Sequence, residues 1–318
     1  MINRRIFSIF LALFLWIGSA ACNSQQPDTA TIAPVDADEL LADLAFLSSD
    51  ELEGRRTGTE GNRIAREYIE ARFMDLQLQP VGDSYRQPFT HTNRRSGETF
   101  DNAINIIGTI EGTEHPNRYI AVIAHYDHLG VQNGEIYNGT DDNASGTSGL
   151  MAIARYFSAN PPANSLLFIA LDAEEQGLGG AWHYVENPLI PLEQTTMVVN
   201  MDMISNNDED ELYAVGTHHY PFLKPMIEEA TSDASISVLF GFDSEEWPQD
   251  WTMSSDHGPF HQKGVPFIYF GVEDHAHYHS PSDTFENTNH DFFVHAVETI
   301  LGAVTFLDNH LDQVESHR

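Results

Sequence analysis

The sequence predicts an α/β domain whose central sheet is largely parallel. Continuous apolar runs, typical of strands buried on both faces, alternate with segments whose apolar residues recur at helical spacing. No internal repeat is visible, and this alternation is typical of sheets whose strands are joined by helical crossovers. The length of 318 residues suits one large domain, alone or with a small appendage.

Helices are predicted at both ends of this domain. Residues 36–47 (DADELLADLAFL) carry apolar side chains at helical spacing, and residues 59–78 open with small polar residues before a second amphipathic pattern. The spacing over residues 289–311 predicts a long closing helix.

Buried strands are predicted between these helices, and a further helix is predicted over residues 144–157. Polar clusters follow the strands, and ligands of open α/β sheets bind beyond the carboxyl ends of strands, so we expect a site at that edge. The predicted strands are residues 103–110, 119–124 (YIAVIA), 165–171 (SLLFIAL), 196–201 (TMVVNM) and 265–270 (VPFIYF).

The first 21 residues have the order of an export signal. Arg4 and Arg5 precede an apolar run over residues 6–17, which is short for a bilayer span, and four small residues follow. Cys22 comes next, as in bacterial lipoprotein signals, whose cysteine is lipidated after cleavage. We therefore expect an exported lipoprotein of the cell envelope, in the periplasm or at the outer membrane.

One residue of the signal leaves an alternative open. Ser19 stands where lipoprotein signals usually carry Leu, so simple secretion with cleavage near Ala21 is also consistent with the sequence. Residues 23–35 are rich in Gln, Pro, Thr and Ser, which is typical of a flexible tether. The predicted organisation is a signal peptide (1–21), a lipidated cysteine with its tether (22–35) and a folded domain (36–318).

Charge and cysteine content restrict the function. The chain has 48 acidic and 15 basic residues, a net charge of −33, so it lacks the basic face that nucleic acid binding requires. Cys22 is the only cysteine, so the folded domain has neither disulfides nor thiolate ligands. Any metal site in this domain must use histidines and carboxylates.

Two histidine clusters follow predicted strands. In HYDH (125–128), the strand period of two places His125 and Asp127 on one side, where a carboxylate can orient a metal-binding imidazole. A second cluster alternates three histidines and ends at His279. Each cluster alone is a weak signal, because His and Asp are also common at strand ends as surface or structural pairs.

Carboxylates complete the set of candidate metal ligands. Asp142 lies in GTDDNASG before a predicted helix, where an ordinary N-cap is the alternative. Glu174 and Glu175 follow SLLFIAL, and such a pair can offer one metal ligand and one group for proton transfer. Asp202 interrupts the apolar stretch MVVNMDMI, where an unpaired carboxylate is costly to bury. Together these residues provide the nitrogen and oxygen ligands that Zn²⁺ accepts.

The motifs HYDH, GTDDNASG, DAEEQGLGG, NMDMI and YHSPSDT, in this order, resemble the zinc aminopeptidase family M28 over roughly residues 36–312. The resemblance implies a phosphorylase/hydrolase-like three-layer α/β/α sandwich with a central mixed, mostly parallel sheet. It also implies two Zn²⁺ ions at the carboxyl edge of that sheet. By resemblance, His125 and Asp202 would hold one zinc, Glu175 and His279 the other, and Asp142 would bridge both.

The same resemblance implies an exopeptidase that removes N-terminal residues from peptides through a metal-bridging hydroxide. Glu174 would be the general base, Asp127 the partner behind His125, and Tyr278 a donor to the developing oxyanion. A non-proline cis peptide is expected at Asp142–Asn143. The family often inserts a protease-associated domain, and residues 85–118 are too few to hold one.

Several alternatives stay open at this stage. The chain could be a carboxypeptidase of the same family, a single-zinc glutaminyl-peptide cyclase, or a binding module that has kept the fold and lost the chemistry. The Ser255-Asp256-His257 stretch resembles the family near the substrate pocket but could equally cap a helix. We expect His128 to line or support the cleft. Side-chain preference, native metal and oligomeric state are not determined by the sequence.

Overall fold

The strands form one large mixed sheet and one small hairpin. The structure is a computed structural model that describes residues 35–317. Its strands are β1 Gln79–Pro80, β2 Arg86–Thr92, β3 Thr99–Ile110, β4 His115–His125, β5 Gly130–Gln132, β6 Glu135–Tyr137, β7 Asn164–Leu171, β8 Thr195–Met201, β9 Glu211–Val215, β10 Ser237–Leu239 and β11 Phe267–Gly271.

The centre of the large sheet is parallel and its flanks are mixed. The strand order is β1-β3-β7-β4-β8-β11-β9-β10, and β2 pairs with β3. The four central strands β7, β4, β8 and β11 run in one direction, whereas the β3–β7 and β9–β11 pairs are antiparallel. Since the four central strands are parallel, their carboxyl ends meet at one edge of the sheet.

Helices cover both faces of this sheet and give three layers. The strand period of two divides β4, because Ile120, Val122 and Ala124 enter one core while Ala121 and Ile123 enter the other. The helices are α1 Ala37–Leu47, α2 Glu60–Asp75, α3 Gly146–Ala159, α4 Gly179–Glu186, α5 Leu223–Ala230, α6 His257–Gln262, α7 His290–Asn309 and α8 Leu311–Glu315. The first core is closed mainly by α1, α2, α3, α5 and α7, and the second by α4 and α6.

The predicted strands and helices are all present, and the α/β sandwich is confirmed. Predicted N-terminal residues act as caps: Asp36 accepts from the backbone N–H of Glu39, and Thr59 from that of Asn62. The closing helix is shorter than predicted, because α7 ends at Asn309 and the chain continues as the separate α8. The outer strands β1, β2, β9 and β10 of the large sheet and the hairpin strands β5 and β6 were not predicted.

The described part of the chain begins at the end of the predicted tether. The predicted signal peptide, Cys22 and nearly all of the tether lie outside the described residues. None of the helices within residues 35–317 is long and apolar enough to cross a membrane. Residues 85–118, expected to lack an inserted domain, run through β2, β3 and the first part of β4.

Candidate metal centre

The predicted ligands lie together at the carboxyl edge of the parallel strands. His125 is the last residue of β4, and Asp202 directly follows β8. Glu175 lies in the turn after β7, and His279 in the loop after β11. Asp142 lies in an irregular turn over Thr140–Ser145 that leads into α3, and its own backbone angles are not helical. Five segments far apart in sequence therefore meet because the sheet aligns their strand ends.

Distances between side-chain atoms give the centre two halves. His125 Nε2 lies 3.3 Å from Asp202 Oδ1 and 3.4 Å from Asp142 Oδ1. His279 Nε2 lies 3.0 Å from Asp142 Oδ2 and 3.4 Å from Glu175 Oε1. The two oxygens of Asp142 thus face different histidines, which is the arrangement that a bridging carboxylate requires. The peptide bond between Asp142 and Asn143 is cis, as predicted.

His128 is a functional candidate that the sequence placed only in a supporting role. Its buried Nδ1 lies 2.8 Å from Glu175 Oε1 and 3.6 Å from Asp142 Oδ2. Potential ligand atoms group tightly as His128, Asp142 and Glu175, and as His125, Glu174 and Asp202. His128 therefore contacts the same two carboxylates as His279, whose Nε2 lies 3.0 Å from Asp142 Oδ2 and 3.4 Å from Glu175 Oε1. The available signal was the second histidine of HYDH, three residues beyond the end of a buried strand.

The crowding of carboxylates makes the centre suitable for cations. Burial, reinforced by the charge of Glu175, raises the pKa of Asp142. Burial also raises the pKa of Glu174 well above its ordinary value, and Glu175 adds to the effect. Burial alone lowers the pKa of His279, but its hydrogen bonds to Asp142 and Glu175 outweigh burial and raise it to about 10. Buried like charges are costly unless a cation compensates them, and His plus carboxylate is a zinc ligand set.

Asp127 contacts both His125 and the loop that carries Glu174. His125 Nδ1 lies 3.1 Å from the backbone oxygen of Asp127 and 3.8 Å from its Oδ1. The imidazole is therefore oriented mainly by the carbonyl, whereas the sequence predicted the carboxylate. That carboxylate instead accepts from the backbone N–H of Glu174 at 3.0 Å and from Thr57 Oγ1 at 3.2 Å. Asp127 thus positions the loop that carries Glu174.

A buried arginine joins the backbone segments that carry the ligands. Arg55 is fully buried, and its guanidinium donates to the carbonyls of Tyr126, Asn138 and Gly139 at 2.8, 2.6 and 2.8 Å. A fourth bond goes to the carbonyl of Leu47. Tyr126 follows His125, and residues 138–139 precede the turn of Asp142. Sequence reasoning missed Arg55, because the GRR stretch contains two arginines and no pattern separates the buried one.

The Ser255-Asp256-His257 stretch lies at the start of α6. Asp256 occupies the N-cap position, but its side chain makes no capping bond, and both carboxylate oxygens are buried without a hydrogen-bond partner among the described residues. Burial raises its pKa to about 7. Ser255 and His257 instead contact Asn200 at 2.9 and 3.1 Å, next to the end of β8. The stretch therefore supports the centre rather than capping the helix.

A cavity of about 180 Å³ opens directly on this centre. Tyr278 forms part of its wall and stacks on His279, with ring centroids 4.0 Å apart. Burial raises the pKa of Tyr278, with the charges of Asp142 and Asp202 adding to the effect, so the phenol stays protonated. A protonated hydroxyl beside the metal-facing carboxylates can donate a hydrogen bond to a bound oxygen.

The fold and these residues define an α/β protein with a histidine–carboxylate centre for divalent metal ions at the carboxyl edge of its sheet. The chain belongs to peptidase family M28, whose model matches residues 105–304. This match covers all five motifs from which the resemblance was inferred, and it includes all five predicted ligands.

Curated relatives agree with this family. Aminopeptidase YwaD of Bacillus subtilis is 31% identical over 237 residues, which are 70% of this chain and 49% of that protein. A probable zinc metalloprotease of Pyrenophora tritici-repentis is 29% identical over 152 residues, which are 44% of this chain and 33% of that protein. The chain spans about half the length of the first relative and a third of the second.

Solved structures show the same fold at low sequence identity. A zinc aminopeptidase from Bacillus subtilis has a TM-score of 0.71 at 18% identity, covering 85% of this chain and 95% of its own. A Bacteroides thetaiotaomicron glutaminyl cyclase has a TM-score of 0.69 at 16% identity, covering 86% of this chain and 98% of its own. Since the fold accommodates both, function has to be argued from the site.

Proposed function

We propose that this protein is a two-zinc aminopeptidase that hydrolyses N-terminal residues from peptides. One zinc would be held by His125 and Asp202, the other by Glu175 and His279, with Asp142 bridging both. This assignment is supported by Asp142, because one of its carboxylate oxygens faces His125 and the other faces His279. Membership of peptidase family M28 and similarity to an aminopeptidase support the class of reaction.

The charge of the 180 Å³ cavity is our reason to propose that the enzyme prefers the N-terminal end of a peptide. Its wall contains the carboxylates of Asp142, Glu174, Glu175, Asp202 and Asp274, and no Arg or Lys of the described chain lines it. Bound Zn²⁺ would compensate the three of these carboxylates that serve as ligands, so the attraction of a free α-ammonium and the repulsion of a free α-carboxylate would come from the remaining acidic groups, chiefly Asp274. Asp274 lies outside the proposed ligand set, so its carboxylate stays available to the ammonium group. This charge pattern favours an aminopeptidase over a carboxypeptidase.

The chain's own residues would supply proton transfer and orientation. When bound, the two Zn²⁺ ions would polarise the scissile carbonyl and lower the pKa of the attacking water. Glu174 takes a proton from that water and delivers it to the leaving amine, and its raised pKa matches this double role. Asp127 keeps the Glu174 backbone in place. The Tyr278 hydroxyl donates to the oxygen on which negative charge develops.

Replacement of Glu174 tests this mechanism. We expect Glu174→Gln to lower kcat for an amino-acid p-nitroanilide by about 10³-fold, because proton transfer is lost, while bound zinc is retained. The matched control is Glu135→Gln, the same chemical change at an exposed position of β6. The mechanism is wrong if Glu174→Gln keeps near wild-type activity with its zinc still bound.

Substrate blocking and metal analysis separate the alternatives. An aminopeptidase hydrolyses peptides with a free N-terminus and a blocked C-terminus, and not the reverse. One zinc per chain together with cyclisation of a glutaminyl peptide would establish the cyclase. A protein that stays inert after zinc is restored would establish a binding module.

We further propose export of the mature protein, with Cys22 as a lipid-modified attachment to the cell envelope. The order of charged, apolar and small residues before Cys22 supports this placement. Fractionation of cells that express the wild type or Cys22→Ala tests it. The wild type should sediment with membranes and the variant should not; equal distribution would favour simple secretion.

A further inference from the structure

A second and larger cavity also borders Glu174 and Glu175, the proposed general base and its neighbouring zinc ligand, which are called the catalytic pair below. It measures about 840 Å³ and shares Glu174 and Glu175 with the small acidic cavity. Its far wall includes residues 89–95, from the end of β2 and the hairpin tip that follows. Glu174 and Glu175 therefore border both a small cavity suited to one terminal residue and a groove with room for several more.

The hairpin tip is attached to the loop that carries Glu174 and Glu175. His91 Nε2 lies 2.9 Å from the backbone oxygen of Gln176, and Asn93 Nδ2 donates to Gln176 Oε1 at 3.3 Å. The Asn93 carboxamide oxygen also accepts from the backbone N–H groups of Arg95 and Ser96, at 2.8 and 3.1 Å. These bonds hold the backbone of the tip beside the catalytic loop.

The tip carries two arginines whose charge is not compensated within the protein. Arg94 and Arg95 both line the groove and are exposed, and neither forms an ion pair with any residue in the range 35–317. Most other arginines of that range do form such pairs with Asp or Glu, as expected in a chain with 48 acidic residues: Arg56, Arg63, Arg72, Arg86, Arg118 and Arg155.

The charge distribution along the groove is therefore asymmetric. Outside the catalytic pair, Glu186 is the only carboxylate among its described lining residues, so the two arginines leave a local positive charge. Phe89 and Trp182 add aromatic surface on the same walls. An extended peptide advances about 3.3 Å per residue, so the residues after the cleaved bond would run along the groove toward the tip.

We propose that this groove binds the leaving part of the substrate, and that Arg94 and Arg95 bind a carboxylate there. This inference rests on the proposed aminopeptidase function and extends it to a substrate class: short peptides with a free C-terminus, or peptides with an acidic side chain close to the cleaved bond. Guanidinium groups bind carboxylates through paired N–H donors, which makes arginine suited to this recognition.

Three tripeptides test the inference and separate the two sources of carboxylate. Each begins with the residue X that is cleaved fastest as a p-nitroanilide: X-Gly-Gly with a free C-terminus, X-Gly-Gly-amide, and X-Gly-Asp-amide. We expect the wild type to have a kcat/KM about three- to tenfold higher for a substrate with a suitable carboxylate than for X-Gly-Gly-amide, because exposed ion pairs contribute modestly. The ratio of kcat/KM for a carboxylate-bearing peptide to kcat/KM for X-Gly-Gly-amide should fall at high ionic strength.

The double variant Arg94→Gln/Arg95→Gln should bring this ratio to about one. Its control, Lys224→Gln/Lys263→Gln, removes the same charge at two exposed positions outside the groove and should keep the wild-type ratio. Equal wild-type rates on all three peptides, or an unchanged ratio in the arginine variant, would overturn the inference and leave the aminopeptidase assignment standing. A wild type that cleaves no N-terminal p-nitroanilide would refute both.

Discussion

Replacing Arg55 is the most demanding test of how this centre is built. Its side chain is fully buried and donates to four backbone carbonyls, and no carboxylate within residues 35–317 bonds to it directly. Burial lowers its pKa to about 10, although the charges of Asp283, Asp142 and Asp127 act in the opposite direction. The guanidinium therefore stays charged at neutral pH and satisfies acceptors that have no access to water.

The expected magnitude follows from these contacts. Arg55→Met keeps much of the volume and leaves four buried carbonyls without their donor, each worth about 1–3 kcal/mol. In the wild type, the cost of desolvating the guanidinium already offsets part of the stabilisation from these four hydrogen bonds. We therefore expect Arg55→Met to lower the free energy of unfolding by about 3–5 kcal/mol. Arg55→Lys should recover only part of it, because a single ammonium cannot reach four spread acceptors.

The assay compares urea unfolding with zinc affinity measured by chelator competition. Because Arg55 joins the backbone near His125 to the backbone before Asp142, we expect Arg55→Lys to weaken zinc binding about 10- to 100-fold while the protein still folds. Arg63→Met is the control: Arg63 pairs with Glu60 and Glu67 on the surface of α2, and its loss should leave the urea midpoint close to that of the wild type.

The refuting result is specific. If Arg55→Met lost less than about 1 kcal/mol, the four buried carbonyls would not depend on the guanidinium. If Arg55→Lys lost stability but kept wild-type zinc affinity, Arg55 would support the fold without positioning the ligands.

Two further predictions concern histidines. His128→Asn should weaken zinc binding at the Glu175 half about tenfold, because His128 Nδ1 lies 2.8 Å from Glu175; unchanged affinity for both zinc equivalents in a metal titration would contradict this role. Burial lowers the pKa of His257 to about 4, so the unfolded chain takes up the proton first on acidification. The stabilisation that comes from keeping the His257 imidazole neutral is complete above pH 6.5. In metal-free protein, the free energy of unfolding falls by about 3 kcal/mol as the pH falls toward 4. His257→Gln should reduce the dependence of the free energy of unfolding on pH, as measured by urea unfolding between pH 4 and 6.5. An unchanged pH dependence would contradict the role given to His257.

The edge strands show why part of the fold could not be predicted. The central strands are continuous apolar runs because both of their faces are covered, and such runs are visible locally. By contrast, β2 (RQPFTHT) contains polar residues and a proline and lies at the margin of the sheet. Its pairing with β3 becomes evident only in the folded protein, although its hairpin forms a wall of the proposed substrate groove.

The sequence by itself determined the α/β class, the central strands and the group of residues from which a metal centre can be formed, because hydrophobic periodicity and polar strand ends are local properties. Only the tertiary structure decided that His128 contacts Glu175, that Arg55 rather than Arg56 is buried, and that the hairpin of Arg94 borders the catalytic pair. Such contacts join residues far apart in the chain. Which residues meet in this way depends on strand order and loop packing, and neither can be predicted from a local sequence pattern.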